Sequence, residues 1–150
     1  MKHPLMLATL IAIATTSLPA TAQFAKPEDA IKYRQSAMFL MMQNFGRVAG
    51  MAQGKMPFDA KLAADSAANA EFLARLPWGA YVEGTDKGGN TKVKADIWKD
   101  KAKFMDYADK LQLEMGKLSA AAKTGNVDAI KPAVGAVGSV CKSCHDAFRE

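Results

Sequence analysis

The sequence predicts an all-α protein, an antiparallel four-helix bundle. Three observations carry this. Apolar residues recur at helical spacing in four separate stretches, strand-like alternation and β-branched clusters are scarce, and most connections between the stretches are short. With 150 residues, the chain is long enough for one domain with a sizeable core.

The first helix is expected to start near Pro27. Proline suits the first helical position, and Glu28 and Asp29 put acid in the first turn, where the helix dipole favours it. Its apolar stripe reads Ile31, Met38, Met41, Met42, Phe45 and Val48, and Gly50 marks its end. Pro57 and Asp59 open the second helix, with Leu62, Ala63, Phe72, Leu73 and Leu76 facing inward and Pro77 as the stop. A glycine-rich loop from about Trp78 to Ala95 follows; its length hints at a functional role. Asp96 is the expected cap of the third helix, whose stripe is Trp98, Ala102, Met105, Ala108, Leu111, Met115 and Leu118. Gly125-Asn126 breaks it. The fourth helix reads Val127, Ile130, Val134, Val137, Cys141, Cys144 and Phe148, steps of three and four that make an inward stripe. Pro132 interrupts this pattern, so the helix either begins or kinks there.

The start of the chain reads differently. Lys2 and His3 precede an apolar run from Leu5 to Leu18, too short to span a bilayer alone, and Ala20-Thr21-Ala22 supplies small residues. Residues 1–22 are therefore expected to be a secretory signal peptide cleaved after Ala22, leaving a domain of residues 23–150 and no membrane anchor. Loss of Lys2 lowers the formal net charge from +5 to +4. The basic residues are scattered, without a run interleaved with aromatics, which argues against nucleic acid as a partner. An acidic redox partner or an anionic surface fits the charge.

Cysteine and histidine decide more. After cleavage two Cys and one His remain, all within Cys141-Lys142-Ser143-Cys144-His145. C-x-x-C-H is the sequence form of covalent haem attachment: each thiol adds to a vinyl group, and the histidine beside the porphyrin ligates iron. On a helix, positions 141, 144 and 145 span an arc of roughly 100°, so all three face one flat cofactor. Competing explanations fare worse. A structural zinc site needs four protein ligands, a thioredoxin-like pair needs a βαβ setting, and a disulfide between residues three apart closes too small a loop to stabilise much.

The motif stands at the C-terminal end of a helical chain, as in class II c-type cytochromes, and the chain resembles the cytochrome c′ group among them. The segment Gln23-Phe24-Ala25-Lys26-Pro27-Glu28-Asp29-Ala30-Ile31-Lys32-Tyr33-Arg34-Gln35-Ser36, then Leu76-Pro77-Trp78, the loop ending in Ile97-Trp98, and Val140 to Arg149 all carry the likeness. The resemblance implies a bundle holding one haem c per chain, thioethers at Cys141 and Cys144, and His145 as the proximal axial ligand. It implies that Arg34 and Gln35 lie beside the haem edge, with Arg34 a candidate propionate partner. Thr91 matches a loop position near the haem. Arg149, four residues beyond His145 on the same helical face, matches a basic residue bordering the proximal side. A periplasmic location and a homodimer built by the first two helices also follow from the resemblance.

Met38 matches the residue covering the vacant iron face. Two functions diverge at this point. In the first, Met38 only covers the iron, and a high-spin five-coordinate haem binds uncharged diatomic gases such as NO and CO, with electron transfer as a companion role. In the second, the Met38 thioether is the sixth ligand of a low-spin electron carrier. Met38, Met41 and Met42 as adaptable core fillers is the plainest alternative. A haem enzyme is disfavoured: no second histidine or acid–base pair accompanies the motif.

Overall fold

The computed structural model describes residues 23–150; the expected leader, residues 1–22, lies outside the described residues. Four long helices, α1 (Pro27–Ala52), α2 (Ala60–Leu73), α4 (Lys101–Lys123) and α5 (Val127–Phe148), form the bundle. A single-turn helix, α3 (Asp96–Lys99), and a 3-10 turn at Trp78–Ala80 sit in the long connection between α2 and α4. α1 packs against α2 and α5, and α4 packs against the same two, closing a four-sided bundle. Among the described residues, no helix is long and apolar enough to cross a membrane.

The helix ends follow side-chain chemistry. Pro27 takes the first position of α1. Asp59 caps α2 by accepting from the Leu62 amide at 2.9 Å, and Asn126 caps α5 by accepting from the Asp128 amide at 2.9 Å. α5 runs from Val127 through Pro132, so the proline lies inside the helix and does not begin it.

The main core joins Met41, Val48 and Met51 of α1 to Leu111, Met115 and Leu118 of α4 and Ile130, Val134 and Val137 of α5. α2 contributes almost nothing large. Its buried positions are Ala63, Ser66, Ala67 and Ala70. This corrects the expectation for α2: Leu62 is exposed and Phe72 is 65% exposed. The small residues face inward because they let α2 approach its neighbours closely, which leaves the bulky ones outside. Met42 is likewise on the outer side of α1's stripe.

The third helix is also revised. Asp96 does not cap it; Asp100 does, accepting from the Lys103 amide at 3.2 Å. Asp100 adopts φ −126° and ψ 57°, which separates α3 from α4. Phe104 takes the buried place expected of Ala102, which is exposed.

The long connection is well tied down. Gly88, Gly89 and Asn90 all take positive φ, turning the chain sharply. At Gly89 a Cβ would come within 2.9 Å of Ile31 Cγ2, so the loop lies directly on α1. Downstream, Val93 pairs with Arg149 in an antiparallel bridge. The Lys94 amide donates to the Phe148 carbonyl, and the Glu150 amide to the Lys92 carbonyl, each at 2.9 Å. The loop is thereby joined to both α1 and the end of α5.

Candidate cofactor site

A cavity of about 550 Å³ opens where the long loop meets α1, α4 and α5. α5 contributes Val140, Cys141, Cys144, His145 and Phe148, one face of a helix whose apolar stripe points inward. From α1 come Arg34, Gln35, Met38, Met42 and Phe45, and from α4 Phe104, Leu111 and Met115. The loop adds Trp78, Tyr81, Asn90, Thr91 and Lys92. All eight residues singled out in the sequence, Cys141, Cys144, His145, Arg34, Gln35, Met38, Thr91 and Arg149, border this one cavity.

Arg34 organises the rim. It is 2% exposed, yet among the described residues no carboxylate pairs with it. One terminal nitrogen donates to the Ala80 carbonyl at 3.1 Å and to Thr85 Oγ1 at 2.6 Å. The other donates to the Thr85 carbonyl and to Thr91 Oγ1 at 2.9 Å. Its guanidinium also lies 4.7 Å from the centre of the Tyr81 ring. Four bonds from one side chain thus fasten the loop to α1. Gln35 adds a fifth, donating to the Gly89 carbonyl at 3.1 Å. Thr91 borders the cavity while its hydroxyl accepts from Arg34.

Arg149 is the C-cap of α5, extended at φ −127°, and its amide donates to the His145 carbonyl at 2.9 Å. It borders the same cavity as His145 and pairs with Val93 in the bridge.

Sequence reasoning missed the aromatic wall. Trp78, Tyr81, Phe104, Tyr107 and Phe148 pack edge to face or stacked, with centroids 4.8 to 6.2 Å apart. Trp78 Nε1 donates to the Ala74 carbonyl at 2.6 Å, which fixes its ring. Thr85 was also missed; buried, it donates to the Val82 carbonyl at 2.7 Å while accepting from Arg34. Nothing local flags a loop threonine; only the fold brings it beside Arg34, 51 positions earlier.

The electrostatics favour neutral groups inside. Burial pushes both thiols up, Cys144 to about 11 with a further contribution from Cys141. Burial, then the Arg149 charge, holds His145 below the usual histidine range, which keeps its imidazole neutral and available as a ligand. Burial raises Tyr81 to about 12, against the opposing pull of Arg34. A phenol whose folded value is raised stabilises the fold below its unfolded value near 10 and loses that contribution as pH climbs toward 12. Tyr81→Phe is therefore expected to match the parent near pH 7 but to retain about 2 kcal/mol more stability at pH 12. Urea unfolding of both proteins from pH 8 to 12 measures this difference.

Among the described residues three cations, Arg34, Lys92 and Arg149, edge the cavity, and no Asp or Glu lines it. An apolar slot with two thiols and an imidazole on one wall and cations at its rim fits a flat macrocycle bearing two carboxylates. The family model of cytochrome c′ matches residues 29–149. The chain belongs to the cytochrome c′ family. It is 54% identical over 128 residues to cytochrome c′ of Rubrivivax gelatinosus, an alignment spanning 85% of this chain and 99% of that protein. The crystal structure of that relative superposes with a TM-score of 0.81, covering 85% of this chain and all of the other. Cytochrome c′ of Alcaligenes xylosoxydans is 46% identical over 131 residues, covering 85% of this chain and 98% of the relative. A nitric oxide complex of a variant cytochrome c′ from Alcaligenes xylosoxidans superposes with a TM-score of 0.78 at 43% identity, over 85% of this chain and 98% of the other. Cytochromes c′ carry haem c, and the cofactor of this chain is haem c, with Cys141 and Cys144 in the attachment motif.

Proposed function

We propose that this cytochrome c′ is a periplasmic gas-binding and electron-transfer protein with a high-spin, five-coordinate haem. Thioethers at Cys141 and Cys144 hold the group, and His145 supplies the proximal ligand. Haem iron supplies the redox change and an open coordination position for a diatomic ligand. The chain's own residues do the rest. Arg34 and Gln35 hold the loop along the cavity, the aromatic wall keeps water out, and Met38 lies over the distal side. Lys92 and Arg149 donate to the propionates at the rim beside Arg34, whose terminal nitrogens also serve the loop.

The observation that carries this reading is the make-up of the cavity. Its α1 wall offers Met38, Met42 and Phe45, and the two polar side chains it also carries, Arg34 and Gln35, donate to acceptors on the loop. Uncharged NO and CO suit such a wall, and a relative has been solved with nitric oxide bound. The absorption spectrum of the reduced protein tests it. A high-spin spectrum that shifts with CO is expected, whereas a low-spin spectrum that CO leaves unchanged would falsify the reading. Met38→Ala separates the two roles of its thioether. If Met38 only covers the iron, CO binds at least several-fold faster and the ligand-free spectrum is unchanged. If Met38 ligates, the ligand-free spectrum itself turns high-spin.

Export directed by residues 1–22, with cleavage after Ala22, and assembly into a homodimer complete the reading. Tyr33 and Leu40 of α1, and Phe58, Leu62 and Phe72 just before and on α2, are exposed and apolar, a surface suited to a second copy. The mass of the periplasmic protein tests the first, with an uncleaved chain as the contrary result. Sedimentation tests the second, with a monomer at micromolar concentration as the contrary result.

A further inference from the structure

We propose that Met42 is a peroxide-sensitive modification site whose sulfoxide slows entry of gas ligands to the distal side. The inference rests on the haem reading above. Four methionines line the cavity, and their burial differs sharply. Met115 is 1% exposed, Met41 6%, and Met38 is half-buried, whereas Met42 is 56% exposed while still bordering the cavity. Met42 is one helical turn beyond Met38 on α1, so it stands at the mouth of the slot that Met38 covers. Exposed Phe39 borders the cavity beside it, making an apolar rim.

Thioether oxidation follows access to sulfur. A sulfur lone pair attacks one peroxide oxygen, the O–O bond breaks, and the sulfoxide and one water form. Sulfur loses two electrons and the peroxide gains them. The product is a polar acceptor that draws water to a rim that was apolar. Apolar gases must then displace that water to enter. Met41 and Met115 escape the same chemistry through burial. Met56 serves as an internal comparison: it is exposed, but it packs on Gly50 near the far end of α1 and does not border the cavity.

The test uses the ferric holoprotein, treated with limiting hydrogen peroxide and mapped by peptide mass spectrometry, with haem content followed in parallel. Met42 and Met56 are expected to gain oxygen first, while Met41 and Met115 remain unmodified. After reduction of the haem, CO association should slow several-fold in proportion to Met42 sulfoxide. Met42→Leu should abolish the slowing, Met42→Gln should reproduce it without peroxide, and Met56→Leu should leave the slowing intact. Met42 no more reactive than Met41, or a CO rate that follows Met56 instead, would overturn the proposal. So would a CO rate indifferent to Met42 oxidation. A reduced protein that never binds CO would instead overturn the five-coordinate reading, and the peptide map would still report whether Met42 is the reactive sulfur.

Discussion

Arg34→Met should destabilise the folded haem protein by about 3 kcal/mol, because the carbonyls of Ala80 and Thr85 lose a charged donor in a buried place. Methionine keeps much of the length and apolar stem, so the loss isolates the guanidinium. Guanidinium chloride unfolding reads the stability, and hydrogen exchange at residues 85–91 reads the loop. Arg34→Lys should recover only part of the loss. A single ammonium has three donors at one point and does not span acceptors on Ala80, Thr85 and Thr91 as a planar fork does. A stability within about 0.5 kcal/mol of the parent would mean that Gly89 against Ile31 and the Val93–Arg149 bridge hold the loop unaided.

Cys141→Ser combined with Cys144→Ser should release all haem on extraction with acidified organic solvent, whereas either single variant should retain it through one thioether. The double variant freed of haem is expected to unfold about 10 °C or more below the parent. An apolar cavity of about 550 Å³ then stands without its filling, and the walls from α1, α4 and α5 lose their shared contact. Haem resisting extraction in the double variant would show attachment elsewhere, and an unchanged midpoint would show that the bundle does not depend on it.

Much of this was legible because large apolar residues and helix breakers report directly on local structure. The stripes of α1 and α5, the cap at Asp59 and the break at Gly125-Asn126 follow from rules that act within a few residues. The attachment motif is equally local. α2 misled for a physical reason: alanines do the packing, and hydrophobic size therefore points to the wrong face. Asp96 and Asp100 both have the chemistry of a cap, and only the backbone break at Asp100 decides between them. Tyr81, Thr85 and the aromatic wall were illegible because their partners lie far away in the chain. The family resemblance puts Arg34 near a cofactor edge, but its hydrogen bonds hold a loop whose contacts begin 46 positions later.

The late position of Cys141 in the chain has a consequence for biosynthesis. A chain made from its N-terminus completes α1, α2, the loop and α4 before either thiol exists. Until α5 arrives, Leu111, Met115 and Leu118 have no Val134 or Val137 to cover them, so the nascent chain carries an open apolar trough. Exposed apolar surface of this kind is what aggregation and proteolysis act on. Haem supply cannot shorten that interval, because the residues that capture haem belong to the same helix that closes the trough.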